Sequence, residues 1–177
     1  ITSIFFGGGT PSLMKPQTVG AILDHIAKLW TVGRDAEITL EANPGTMEAA
    51  RFAAFHEAGI NRISLGIQSF DDARLRALGR IHDSIEARAA IDLALRHFDN
   101  VNLDLMYALP GQTLADAAQD VDTLLSFGTP HLSCYQLTLE PNTAFAHAPP
   151  DLPDTDLAAD MQDMVEDKLG AAGYEHY

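Results

Sequence analysis

Short apolar runs rich in β-branched residues alternate with helical patterns along the chain. That alternation constrains the fold more than any single motif. Ser3 to Phe6 reads as a strand. Pro16 to Trp30 reads as a helix, with Val19, Ile22, Leu23, Ile26 and Leu29 on one face and a proline suited to the first turn. Glu37 to Glu41 is the next strand, followed by a helix that Thr46 can cap and Gly59 can end. Arg62 to Gln68 is a third strand, and two helical pieces follow, Asp71 to Leu78 and Ser84 to His97. Val101 to Leu109 is a fourth strand; Thr113 opens a helix to Phe127, with Asp116 placed as in a capping box. Leu132 to Leu139 is a fifth strand, and Leu157 to Ala172 is the closing helix. About five β/α units in a row predict a parallel sheet with crossover helices. Either an open doubly wound sheet or an arc of a (β/α) barrel satisfies that pattern.

Composition narrows the partners. The 177 residues carry a formal charge of −14, which argues against nucleic acid or an anionic membrane, since both call for clustered Lys and Arg. A small anionic ligand held by backbone amides and one or two Arg is still compatible. One cysteine, Cys134, excludes an internal disulfide and fits a reducing compartment. With no run of membrane-spanning length and no signal peptide, the expected location is cytoplasmic. The opening at Ile1, inside an apolar run, and the stop at Tyr177 suggest a piece of a longer protein.

Polar residues cluster where strands end. The first strand runs into Gly7-Gly8-Gly9-Thr10-Pro11-Ser12, the second into Glu41-Ala42-Asn43-Pro44, and the third into Gln68-Ser69. The fourth carries Asn102 and Asp104; the fifth carries Gln136 and Thr138, then Glu140. In a parallel sheet these carboxyl ends share one edge, where ligands bind. At one strand such residues merely begin a loop; at five in a row they indicate a site. The glycines either let a ligand approach the backbone or make a flexible turn, and spacing alone leaves the two even. Asp104, flanked by apolar residues, either faces a ligand or pairs with an Arg such as Arg80. His82, His131 and His176 lack a second ligand at zinc spacing and read as structural or surface residues. Cys134 reads as an inert strand residue.

These blocks resemble a known family. Phe5-Phe6-Gly7-Gly8-Gly9-Thr10-Pro11-Ser12, Glu41-Ala42-Asn43-Pro44-Gly45, Gly59 to Phe70, Leu78-Gly79-Arg80-Ile81-His82 and Asp104 to Thr113 are similar, in order and spacing, to blocks of the radical S-adenosylmethionine (SAM) proteins of the oxygen-independent coproporphyrinogen oxidase and heme chaperone group. The resemblance implies an α/β fold, a parallel (β/α) partial TIM-like barrel. Residues 1–177 would be a core fragment holding its second to sixth units. The first unit, with a Cys-x-x-x-Cys-x-x-Cys loop for a [4Fe–4S] cluster, and a C-terminal domain would then lie elsewhere. Cys134 alone cannot replace three thiolates, so the chain by itself should be inactive in radical chemistry.

The resemblance further implies SAM contacts at Gly8, Gly9 and Thr10 (methionine part), at Glu41, Gln68, Arg80 and Asp104, and at Thr138 beside the adenine. It assigns no catalytic residue and no metal ligand here. The leading expectation is a heme chaperone, because Leu137 to Phe145 and Gly173 to Tyr177 look like that branch. Heme is then a ligand and a heme-acceptor protein a partner. The alternatives are an oxidase that decarboxylates coproporphyrinogen III, with the porphyrinogen as substrate, and a cluster-less structural remnant. An exposed first-strand edge near Ile1 to Phe6 predicts self-association.

Overall fold

The computed structural model describes residues 1–45 and 49–177. Five strands, β1 (Ser3–Phe6), β2 (Glu37–Ala42), β3 (Arg62–Gln68), β4 (Asn100–Tyr107) and β5 (His131–Gln136), form one sheet in the order β1-β2-β3-β4-β5. β1 and β2 are parallel with Phe6 beside Leu40, and β2 and β3 are parallel with Ala42 beside Leu65. Spatial order follows chain order, as expected when crossover helices return each strand to the same end. The helices are α1 (Pro16–Leu29), α2 (Phe52–Glu57), α3 (Asp72–Ala77), α4 (Ser84–His97), α5 (Leu114–Leu125), α6 (Ala144–His147) and α7 (Thr155–Ala171), with a 3-10 turn at Pro11–Leu13. This is the parallel α/β architecture read from the alternation. The order does not close β5 onto β1. Among the described residues no helix is long and apolar enough to cross a membrane.

The chain divides into two compact units. The first comprises Ile1–Ile67, Ile85–Leu103 and Thr129–His131. Its core holds Leu40, Phe52, Phe55, Ile63, Leu65, Ile91 and Leu103, all essentially inaccessible to water. Phe52 meets Phe98 edge-on at 6.3 Å, an arrangement that suits the ring quadrupoles. Strand alternation sends a second set to the opposite face of the sheet. Thr39, Ser64 and Asn102 are buried there, and Asn102 Nδ2 donates to Ser64 Oγ at 2.9 Å. Lower on the same face Asn100 Nδ2 donates to Glu37 at 3.2 Å, and Arg62 lies 3.7 Å from that carboxylate. The inner face is therefore polar and linked by cross-strand bonds, where an ordinary core would be apolar, and Arg62 Nε and Asn100 Oδ1 are buried there without a hydrogen-bond partner.

The second unit comprises Gln68–Ser84, Asp104–Gly128 and Leu132–Tyr177. Leu75, Leu105, Leu109, Val121, Leu124 and Met161 make its core. Thr113 and Asp116 form the expected capping box: the hydroxyl accepts from the Asp116 amide and the carboxylate accepts from the Thr113 amide. Asp122 of α5 and Lys168 of α7 pair across the two helices.

Four local features differ from the sequence reading or extend it. β4 stops at Tyr107 because Ala108 turns out of the ladder at φ 55°. β5 stops at Gln136, which leaves Thr138 on the loop that follows. A short helix, α6, begins where Thr143 Oγ1 accepts from the Ala146 amide at 3.2 Å. The 3-10 turn after the glycines starts at a proline, whose fixed φ suits a first helical position. Thr46, the expected cap, lies outside the described residues.

Candidate functional site

In the first unit β1 runs directly into the glycines. Gly8 and Gly9 adopt φ 85° and 63°. A side chain in that left-handed region costs about 1–2 kcal/mol, so conformation alone selects glycine here. A Cβ at either position would meet nothing within 4 Å, so both backbones are open to a ligand. Gly7 is glycine for a different reason. A Cβ there would stand 2.8 Å from the Phe5 ring and 3.2 Å from Glu41 Oε2. The Gly8 amide donates to that same Oε2 at 3.1 Å. The parallel register of β1 and β2 brings Glu41 to the glycine turn. Thr10 follows, half-buried, and its carbonyl accepts from the Leu13 amide at 3.1 Å. Gly8, Gly9, Thr10 and Glu41 thus form one local group that joins open backbone to a carboxylate.

In the second unit Gln68 ends β3, buried, with φ 70°. Arg80 lies in the segment between α3 and α4, half-buried, and its amide donates to the Leu75 carbonyl at 2.9 Å. Burial lowers the pKa of its guanidinium, and the charge of Asp104 on β4 pulls it back up. The two side chains thus sense each other's charge. Cys134 shares this environment. Burial, then the Asp104 charge, pushes its thiol up to about 12. Thr138 is exposed, and its hydroxyl donates to Glu140 at 3.0 Å. His82 is buried.

Chemically, Glu41 can accept from an ammonium or a ribose hydroxyl, and Arg80 can pair with a carboxylate. In the first unit, the open glycine backbone beside the Glu41 carboxylate suits a ligand that carries an ammonium group or hydroxyls. The described residues do not fit an iron–sulfur cluster. The only cysteine is half-buried with its thiol held protonated, and among the described residues no three His, Cys, Asp or Glu side chains gather to hold a metal.

One functional candidate escaped the sequence reading. Asp120 of α5 is buried and takes two hydrogen bonds from the turn after Gln68. The signal was available: Asp120 falls on the same helical stripe as Ala117, Val121 and Leu124. A lone acid on an apolar stripe needs a buried partner.

Comparison with known proteins adds the family. The chain is 49% identical to the heme chaperone HemW of Haemophilus influenzae over 99% of its residues, covering 46% of that protein. It is 48% identical to the HemW of Escherichia coli over all of its residues, covering 47% of that protein. The chain therefore spans about half the length of these curated relatives. Among solved structures it resembles the radical SAM coproporphyrinogen III oxidase HemN of Escherichia coli, with a TM-score of 0.87 and 25% identity, over 99% of this chain and 41% of that one. Residues 1–124 match the radical SAM superfamily, and with the parallel sheet and the glycine turn in place the chain belongs to that superfamily.

Proposed function

We propose that residues 1–177 are the SAM-binding core of a cytoplasmic heme chaperone, the whole protein binding heme and passing it to an acceptor protein. The observation that carries this reading is the identity of 49% and 48% to two HemW proteins across essentially the entire chain. The backbone likeness to HemN keeps oxidative decarboxylation of coproporphyrinogen III as the second reading. Sequence identity discriminates function within a shared fold more finely than backbone similarity does.

In this reading the chain supplies the second to sixth units of the radical SAM barrel. Gly8, Gly9 and Thr10 receive the methionine part of SAM, and Glu41 accepts from its polar hydrogens. Arg80, steadied by Asp104, pairs with the SAM carboxylate. Gln68 makes a further polar contact, and the backbone at Thr138 lies beside the adenine. Bound SAM supplies a sulfonium-activated alkyl group; the residues of this chain bind and orient it. The open backbone at Gly8 and Gly9 and the influence of the Asp104 charge on Arg80 support these assignments. A [4Fe–4S] cluster, which the superfamily implies, would be held by other residues of the whole protein.

The test uses the full-length protein, reconstituted anaerobically. Heme titration, followed by transfer to an apo heme protein, is the positive assay. The expected result is binding and transfer with coproporphyrinogen III left unconverted in the presence of SAM and reductant. Decarboxylation in step with 5′-deoxyadenosine would establish the oxidase instead. Binding of neither SAM nor heme would leave only a structural role.

A further inference from the structure

We propose that Asp120 is a positioning residue for Gln68, holding the turn after β3 in the conformation that presents Gln68 to SAM. The inference rests on the reading of Gln68 as a SAM contact.

Gln68 is a non-glycine residue in the left-handed region, at φ 70°. Such a backbone costs about 1–3 kcal/mol and persists only where its surroundings over-determine it. The residues that follow show how. Ser69 is fully buried, and its Oγ donates to Asp120 Oδ2 at 2.7 Å. The Phe70 amide donates to Asp120 Oδ1 at 2.9 Å. The Asp71 amide donates back to Ser69 Oγ at 3.0 Å, and Asp71 then caps α3 by accepting from the Arg74 amide at 2.9 Å. Arg74 is itself clamped between Asp71 at 3.0 Å and Asp116 at 2.6 Å. Each oxygen of one carboxylate thus holds a successive residue of the turn, and the turn is tied at its far side into α3.

The cost of this arrangement argues for a role beyond packing. Burial raises the pKa of Asp120, and its two hydrogen bonds only partly offset that. Ala117, Val121 and Leu124, its neighbours on the same stripe, are apolar. An apolar side chain at position 120 would avoid the desolvation but leave the Ser69 hydroxyl and the Phe70 amide unpaired in the interior. The carboxylate is therefore matched to this turn rather than to the helix.

The test is a double-mutant cycle in full-length, cluster-reconstituted protein, with SAM affinity read by calorimetry and fold by thermal midpoint without SAM. Asp120→Asn keeps one acceptor and should fold; Ser69→Ala, which removes one tether, serves in its place if it does not. The expected result is an affinity loss on the order of tenfold for Asp120→Asn and for Gln68→Ala, with the double variant no weaker than the weaker single one. Losses that multiply would show that Asp120 acts independently of Gln68 and overturn the proposal. So would unchanged affinity in Asp120→Asn while Gln68→Ala binds poorly, and in that case the SAM reading of Gln68 stands. Tight SAM binding by Gln68→Ala, or none by the wild type, removes the SAM reading itself and this proposal with it.

Discussion

The Gly8 amide donates to Oε2 of Glu41 at 3.1 Å, across 33 positions of sequence. The bond ties the turn after β1 to the end of β2 and fixes where the Glu41 carboxylate lies. It also explains why three glycines stand together. Gly7 is crowded by Phe5 and Glu41, whereas Gly8 and Gly9 are uncrowded but left-handed.

From that relationship, Gly8→Ala should destabilise the protein by about 1–2 kcal/mol, the cost of a side chain at positive φ. Glu41→Gln retains an acceptor oxygen and should cost less than about 1 kcal/mol, in line with a neutral replacement in one exposed hydrogen bond. Chemical denaturation of both variants measures the difference. Equal losses would show that the carboxylate, not the backbone conformation, dominates the turn.

Asp116 makes stability depend on acid pH. Its hydrogen bonds with Thr113 hold its carboxyl below the ordinary 3.8, with a smaller contribution from Arg74. Because the folded value is depressed, the stabilisation is fully present above 3.8 and is lost as pH falls through the folded value. Asp116→Ala should therefore cost about 0.5–1 kcal/mol at neutral pH, a modest figure because the pair is partly exposed and screened. The gap between wild type and variant should shrink on acidification below 3.8. Asp120 has the opposite sign. Burial raises its value, so its ionisation costs stability as pH rises through the folded value. Thermal midpoints across an acid pH series separate the two, since Asp120→Asn should change the profile on rising pH and Asp116→Ala on falling pH.

Cys134 should be chemically silent in the native state. Burial and Asp104 push its thiol up to about 12, so almost no thiolate exists at neutral pH. Alkylation by iodoacetamide should be roughly 1,000-fold slower in native than in denatured protein, the ratio of thiolate populations for a thiol raised from 9.0 to about 12. Native labelling at the denatured rate would contradict the placement of this strand.

The 177-residue chain by itself should associate through β1. That strand stands at one end of the sheet order, and Phe5 and Ile1 are 58% and 42% exposed. An uncovered edge with apolar side chains invites strand pairing, and a lysine there discourages it. Sedimentation coefficients should rise with concentration for the wild-type chain and much less for Phe5→Lys. A single monomeric species at high concentration in both would refute the edge as the cause.

Much of the architecture is legible in the sequence. The helical periods at Pro16–Leu29 and Ser84–His97, and the Thr113–Asp116 capping box, are local signals that tertiary packing leaves in place. Strand ends were less readable. Ala108 carries no residue signature for φ 55°, so the sequence carries β4 on to Leu109 where the strand ends at Tyr107, and β5 likewise ends before Leu137 to Leu139. α6 hid in a stretch rich in Pro and Ala, where a single Thr143 cap decides a one-turn helix.

The alternation of β and α segments, the glycine turn and the polar residues at strand ends are all legible in the residue order. Those features depend on side-chain periodicity and on which residues tolerate positive φ, both of which are local properties. Tertiary packing alone joins Gly8 to Glu41, puts Arg80 under the influence of the Asp104 charge and lets Asp120 hold the turn beyond Gln68. Each of those pairings joins residues far apart in the chain. Strand register and helix docking select such partners, because a buried charge or donor must find a partner wherever the packed chain places one.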